Sequence, residues 1–372
     1  MPAEKKRPRG LKNSAANKKA KVAKEPVQGE EPEVPENAQT IVIDKVVEEG
    51  DEIGEAAALY ESGIEKLETD TSAALSLLRG AVHESDRILR NWSSKDPLPA
   101  LFYYTYGSSL YELGRLSEEE DFESYLDAAE ERLNDALEHV KEGDDELKNK
   151  LDVKLAMIWF AKAASTISEG GETIPELATR ALETLKKATS DSKASPTTIV
   201  ELADIVQNHG DLYSNMESRE KFTTWADNAL VEVLKTEPKN TNAMIGLGSS
   251  KLSLANFWLD QIQEEEEEEE EEERKELKDE EKKALEAILE SRKHYEEAKE
   301  ELAKHNMVTP QILSELAEVY LNHANLVLEE EEQNKIYQEA AKTIKDAQVL
   351  IEENKLDYTL PEGLTSFLSE FE

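Results

Sequence analysis

The sequence predicts an all-α fold, an irregular α-solenoid of about six helical hairpins behind a disordered basic N-terminal arm. Three observations carry this expectation. From about residue 51 onward, apolar residues recur at three- and four-residue intervals with few β-branched runs. Helix starts and breakers punctuate that rhythm, and one short motif keeps returning along the chain. Nothing reads as a strand followed by a tight hairpin turn. The expected organisation is a basic arm and acidic, Pro-containing linker at 1–50, then a helical-repeat domain at 51–372 interrupted by an acidic insert at 263–283.

The arm comes first. Residues 1–24 hold nine Lys or Arg and one Glu, a local charge of +8 on a chain of 372 residues with a formal charge of −39, so the remainder carries −47. Two cationic clusters, Lys5, Lys6 and Arg7 and then Lys18, Lys19 and Lys21, have the spacing of a bipartite nuclear import signal. An import receptor reads such clusters on an extended backbone, and Pro8, Gly10, Asn13 and Asn17 oppose local folding before it binds. A solubilising tail or a weak RNA-binding arm is the plainer reading of the same residues. Pro26, Pro32 and Pro35 among glutamates mark 25–50 as linker, with a short apolar "TIVID" at 40–44.

The helical body follows, and its returning motif is a small residue, a large apolar residue four positions on, and a small residue three further. It occurs at Ala74–Leu78–Ala81, Ala129–Leu133–Ala136, Ala181–Leu185–Ala188 and Ala340–Ile344–Ala347, and more weakly at Ser291–Tyr295–Ala298 and Ala226–Leu230–Val233. All three members share one helix face, where small residues admit a neighbouring helix and the large one fills its groove. After the first copy, "GAVHESDRILR" reads as a helix with Val82, Ile88 and Leu89 toward the core and its polar residues mostly outward. "FYYTYGSSLYELGRL" at 102–116 precedes the second copy and "ILSELAEVYLNHANLVL" at 312–328 precedes the last. Ser195-Pro196 and Thr309-Pro310 each place a capping hydroxyl before a proline that pre-sets the first turn. Gly143, Gly170-Gly171 and Gly210 fall between periodic segments. These helix pairs resemble tetratricopeptide repeats in residue type and order, but their 45 to 65-residue spacing exceeds the standard ~34. Such repeats bury a continuous core only against neighbours, and a stack of them presents a groove. A plain helical bundle without a groove fits the same periodicity.

The acidic insert lies between "TNAMIGLGSSKLSLANFWLD" at 241–260 and its expected hairpin partner "EKKALEAILESRKHYEEAKEELAKH" at 281–305. Its centre is Glu264, Glu265, Glu266, Glu267, Glu268, Glu269, Glu270, Glu271, Glu272 and Glu273. Like charges four residues apart oppose a helix by roughly 0.2–0.5 kcal/mol per pair, and salt relieves the repulsion. The run is either a solvated insert or a docking patch for a basic partner such as a histone tail, a ribosomal protein or the chain's own arm.

No catalytic signature accompanies this architecture. The six histidines form no H-x-x-x-H pair, and there is no nucleophile elbow or Walker-type phosphate loop. Gly246 and Gly248 lie within a helical pattern and read as close helix packing. The four tryptophans Trp92, Trp159, Trp225 and Trp258 read as core rather than as a base-stacking platform. The chain has no cysteine, which excludes disulfides and thiolate metal sites. Its acidity opposes direct nucleic-acid or anionic-membrane binding, no apolar run approaches the ~18 residues that span a bilayer, and no apolar segment follows the basic N-terminus as in a secretory signal. The expectation is a soluble intracellular non-enzyme with no cofactor and no metal.

Several stretches carry a more specific likeness: "KRPRGLKN" with the Lys-rich cluster after it, "VHESDRILR" at 82–90, "ELADIVQNHGDLY" at 201–213, "YLNHANLVLEEEEQNKIYQEAAKTI" at 320–344 and the closing "LTSFLSEFE". In these the chain resembles the fungal nuclear enhancer of translation termination family. That resemblance implies a nuclear adaptor affecting how accurately ribosomes stop. It also implies partnership with an iron/2-oxoglutarate oxygenase of the prolyl-hydroxylase type and with the termination machinery, and a link to regulated gene expression. The other reading of an acidic interrupted repeat protein is a histone chaperone.

Overall fold

The computed structural model describes residues 45–67, 69–117, 119–167, 171–191, 194–263 and 276–371. Among these residues there are thirteen α-helices and no strands, as the sequence predicts. They are α1 (Glu52–Lys66), α2 (Thr71–Asn91), α3 (Ala100–Arg115), α4 (Glu119–His139), α5 (Asp145–Ala164), α6 (Glu176–Asp191), α7 (Pro196–Gly210), α8 (Met216–Thr236), α9 (Thr241–Gln263), α10 (Asp279–Ala303), α11 (Pro310–Asn325), α12 (Glu330–Asn354) and α13 (Glu362–Phe371).

Local chemistry sets the helix ends. Ser195 Oγ accepts from Thr198 N at 3.1 Å ahead of Pro196, and Thr309 Oγ1 accepts from Ile312 N at 3.4 Å ahead of Pro310. Each satisfies one of the amide donors that the first helical turn leaves without a carbonyl. Asp51, Asp70 and Asn215 cap α1, α2 and α8 in the same way.

The chain divides into two compact units, and α6 contributes a segment to each, with the boundary after Leu182. In the first unit, α1 pairs with α2 and α3 with α4, α1 also touches α3, and α5 belongs to the same body. Leu59, Leu77, Leu78, Ala81 and Leu113 belong to one of its buried clusters. In the second unit the pairs are α7 with α8, α9 with α10 and α11 with α12, and α13 packs on α11 and α12. Leu252, Ala255, Ile288, Leu316 and Tyr320 join the α9/α10 and α11/α12 hairpins. Leu313, Ile344, Leu360, Leu364 and Leu368 close the α13 side.

The six motif copies fall one to each second helix, α2, α4, α6, α8, α10 and α12, and all eighteen of their residues are buried, none more than 5% exposed. The reason is visible at two glycines on the partner helices. A Cβ at Gly107 of α3 would stand 2.8 Å from Leu133 Cγ, and one at Gly248 of α9 would stand 2.8 Å from the Tyr295 ring. Gly107 and Gly248 thus meet the central large residue of the motif from the other side, which confirms close helix packing for the "IGLG" segment. Ser291 strengthens the α9/α10 contact by donating to the Gly248 carbonyl at 2.7 Å.

Two details depart from expectation. Trp92 is 40% exposed, because α2 ends at Asn91 and the indole sits in the following turn, its Nε1 donating to the Asp96 carbonyl at 2.8 Å. Trp159 is buried, while Trp225 and Trp258 are half-buried. In the 80–90 segment Ser85 is fully buried although its neighbours are polar, since it shares the inward stripe of Leu78, Ala81 and Ile88.

Candidate functional site

Within each unit, first helices of neighbouring hairpins meet at joints that carry buried polar side chains. In the first unit the joint between α3 and α5 is a closed ion pair. Glu112 is 2% exposed, and Lys154 Nζ lies 2.9 Å from its Oε1 while Arg115 donates to its Oε2 at 3.0 Å. Tyr111 is flanked by both cations, with Lys154 Nζ 5.1 Å and the Arg115 guanidinium 5.8 Å from its ring centroid. Burial works to lower the Lys154 pKa, but Glu112 and the neighbouring Tyr60, Tyr104 and Tyr111 outweigh it and hold the ammonium well above its ordinary value. Glu130 of α4 is consumed in the same manner, accepting from Trp159 Nε1 at 2.8 Å and pairing with Lys162.

In the second unit the joint between α7 and α9 repeats this solution. Asp211, one residue past α7, pairs with Arg219 of α8 and accepts from Ser253 of α9 at 2.7 Å. Arg219 also donates to Ser253 Oγ at 2.6 Å and lies 5.4 Å from the Phe257 ring. Burial raises the Asp211 pKa and lowers that of Arg219, and their mutual attraction opposes both shifts. Between α8, α9 and α10 a cavity of about 420 Å³ is likewise balanced internally: Lys251 lies 3.1 Å from Asp227 and 3.2 Å from Glu290.

The next joint, between α9 and α11, differs. Its register is fixed at two points, each 66 residues apart in sequence. Asn322 Nδ2 donates to Asn256 Oδ1 at 3.4 Å, and the Tyr295 side chain of α10 comes up between Ser249 and Glu315, interacting with both. Burial pushes the Tyr295 pKa well up, and the Glu315 carboxylate adds to it. Glu315 is half-buried; its Oε1 accepts from Gln311 Nε2 at 2.5 Å, and the Tyr295 hydroxyl bonds to the same carboxylate. Glu318, on the same face, is exposed over more than a third of its surface, yet burial by its surroundings and then the Glu315 charge both raise its pKa. Among the described residues no cation pairs with Glu315 or Glu318. The arrangement is an acceptor-rich face with a mutually hydrogen-bonded amide pair one to two turns along it.

Sequence reasoning did not single out these residues. Their signal is faint but present: Ser249 and Asn256, and Glu315 and Asn322, are each seven residues apart, on one face of a helix already marked as periodic. The residues it did single out, Lys5, Lys6, Arg7, Lys18, Lys19, Lys21 and the glutamates from Glu264 to Glu273, lie outside the described residues. The hairpin around the glutamate run is as expected, with α9 packed on α10. Among the described residues no three His, Cys, Asp or Glu side chains converge as metal ligands, and no helix is long and apolar enough to cross a membrane.

Comparison with known proteins gives this geometry a context. Residues 3–163 match the family model described as nuclear pore complex subunit Nro1. A stretch of 102 residues, 25% of this chain and 26% of the relative, is 42% identical to the negative regulator of ofd1 of Schizosaccharomyces pombe. Over 205 residues, 54% of this chain and 43% of the relative, it is 29% identical to enhancer of translation termination 1 of Candida albicans. The matched stretches thus span from about a quarter to less than half of those relatives' lengths. The fold is that of the S. pombe nuclear import adaptor Nro1, with a TM-score of 0.53 at 23% identity over 90% of this chain and 99% of that one. A second structure, described as showing that the hypoxic regulator of sterol synthesis Nro1 is a nuclear import adaptor, gives 0.52 at 21% identity over 87% and 93%. These matches are in keeping with the resemblance to the enhancer of translation termination family, and the S. pombe structures are described as a nuclear import adaptor.

Proposed function

We propose that this chain is a non-catalytic nuclear adaptor that supports correct translation termination and affects gene expression through a prolyl-hydroxylase-like oxygenase partner. The observation that carries it is the 42% identity over 102 residues with a negative regulator of ofd1, together with the match of residues 3–163 to the Nro1 family model. The helical-hairpin body supports an adaptor, because its chemistry lies in paired charges and shaped faces. In this reading residues 1–50 are an arm and linker, 51–372 the helical body and 263–283 an insert within the α9/α10 hairpin. Lys5, Lys6, Arg7, Lys18, Lys19 and Lys21 engage an import receptor, and Glu264 to Glu273 form a docking patch for a basic partner.

The test is a clean deletion in the source organism, scored with a dual stop-codon reporter. Readthrough rises if the reading holds and stays at the wild-type level if it does not. Fusing residues 1–24 to a fluorescent cargo tests the import signal: nuclear accumulation supports it, and an evenly distributed cargo removes it. Affinity purification from nuclear extract at moderate salt recovers an oxygenase of the iron/2-oxoglutarate class on this account, whereas recovery of histones alone favours a chaperone.

A further inference from the structure

Between the basic arm and the helical body runs a linker rich in glutamate and proline, and within it one apolar stretch, "TIVID" at 40–44. The described residues that follow this stretch show where it leads. Lys45 pairs with Glu61 at 2.5 Å and with Glu65 at 3.1 Å, both on α1. Val47 lies against Gly54 near the start of the same helix, where an added Cβ would stand 3.1 Å from Val47 Cγ1. As the residue number falls from 47 to 45, the contacts on α1 move from its first turn toward its last, so the segment runs antiparallel along the helix. Its side chains alternate as an extended chain requires: Lys45 and Val47 are half-buried, and Val46 between them is fully exposed.

The receiving surface matches that course. Gly54, Ala57, Glu61, Ile64 and Glu65 fall on one stripe of α1. Small residues lie where Val47 packs, carboxylates follow where Lys45 pairs, and Ile64 and then Leu67 lead on to the α1/α2 turn. Ile64 and Leu67 are only half-buried, at the edge of the cluster that contains Leu59, Leu77 and Leu78. An extended chain advances about 3.3 Å per residue and a helix about 1.5 Å, so the stretch from Val47 back to Ile43 spans roughly nine residues of α1. Counted from Gly54, Ile43 reaches Ile64 and Ile41 reaches Leu67, while Val42 shares the outward face of Val46.

We propose that residues 41–43 continue this course as a strap, with Ile41 and Ile43 covering Leu67 and Ile64 and Val42 turned to solvent. The occupant of this edge is the chain's own linker, because it is tethered at Lys45, already heads toward the edge, and is apolar at the two positions that the alternation turns inward. The basic arm then leaves the body at the α1/α2 turn rather than at the start of α1, and its two cationic clusters are presented from a fixed point. This holds whichever receptor reads the arm.

The test is hydrogen exchange of the full chain, followed by mass spectrometry over α1 and the α1/α2 turn. I41D/I43D accelerates exchange over residues 59–67 by at least about fivefold, and V42D leaves it at the wild-type rate. The chain has no cysteine, so engineered pairs give a second reading. I41C/L67C closes to a disulfide under mild oxidation with diamide, and V42C/L67C closes at least about tenfold more slowly. Exchange in I41D/I43D equal to wild type, equal acceleration by V42D, or equal closure of the two cysteine pairs would overturn the strap. Acceleration produced by deleting residues 1–24 alone would show that the basic arm covers the edge and would overturn the choice of occupant. Protection that grows with protein concentration would place a second copy there and overturn the same choice.

Discussion

The α3/α5 joint of the first unit and the α9/α11 joint of the second are built alike and finished differently. Both set a glutamate where two successive first helices meet, with tyrosine alongside. In the first, Lys154 is only 12% exposed and its partner carboxylate 3%, so the charges neutralise each other in place. In the second, Glu315 and Glu318 repel, and Glu315 is met by the Gln311 amide and the Tyr295 hydroxyl rather than by a cation among the described residues. The difference teaches that a repeat fold separates cohesion from recognition at equivalent positions. A joint that closes its own charge is held by an ion pair, and one without a cation is held by packing and neutral hydrogen bonds.

The largest expected effect breaks the closed joint. K154M strands Glu112 in a nearly dry site with only the exposed Arg115 beside it. Loss of one partner of a buried pair costs about 3 kcal/mol, which lowers the melting temperature of a unit this size by roughly 6–12 °C. The double variant K154M/E112L recovers most of that loss, since a well-packed apolar pair replaces the ions, and differential scanning calorimetry measures both. If K154M melts like the wild type, the first joint is not closed by its charge.

A second effect comes from pH and separates two groups of the second unit. His209 is 3% exposed, and burial lowers its pKa to about 4. An unfolded histidine titrates near 6.5, so the unfolded chain takes up the proton first, and stability is lost as pH falls from 6.5 toward 4. The loss amounts to roughly 3 kcal/mol at the low end of that window. Urea unfolding from pH 7 to 4 measures it, and H209Q flattens the curve. Glu318 carries the opposite sign, because its folded pKa is raised: stability rises as pH falls toward the folded value and protons bind the native state more readily. In an H209Q background that small rise becomes visible, and E318Q abolishes it. No change between those two variants would mean that Glu318 is already neutralised.

A smaller effect probes the packing that sets the register of the open joint. G248A places a methyl 2.8 Å from the Tyr295 ring and costs about 1–3 kcal/mol by overpacking. It also moves the tyrosine hydroxyl away from Glu315. G363A serves as its control, since a Cβ there meets nothing within 4 Å.

The contrast between joints also marks what could be read from the chain. The second helices were fully legible, because Ala74–Leu78–Ala81 and its five counterparts obey a spacing that only a buried helix face explains. So were the proline-marked starts of α7 and α11 and the α9/α10 hairpin around the acidic run. The first-helix joints were not. Glu315 and Glu318 are two of 83 acidic residues, and what distinguishes Glu315 is that the fold brings the Tyr295 hydroxyl of α10 against it. That placement depends on a 66-residue offset between α9 and α11, which follows from the lengths of α10 and its connections rather than from any local pattern. The exposure of Trp92 escaped for a related reason, since helix termination after Asn91 decided it and composition did not.

The account turns on the third joint lacking its own cation, and supplying one tests that most directly. S249K places an ammonium beside Glu315, as Lys154 stands beside Glu112, and the thermal unfolding of the second unit is the measurement. The expected result is a melting temperature higher by roughly 2–4 °C, corresponding to about 1 kcal/mol, a gain that vanishes in S249K/E315Q. A melting temperature that stays the same or falls in S249K, while E315Q leaves the wild type unchanged, would contradict it.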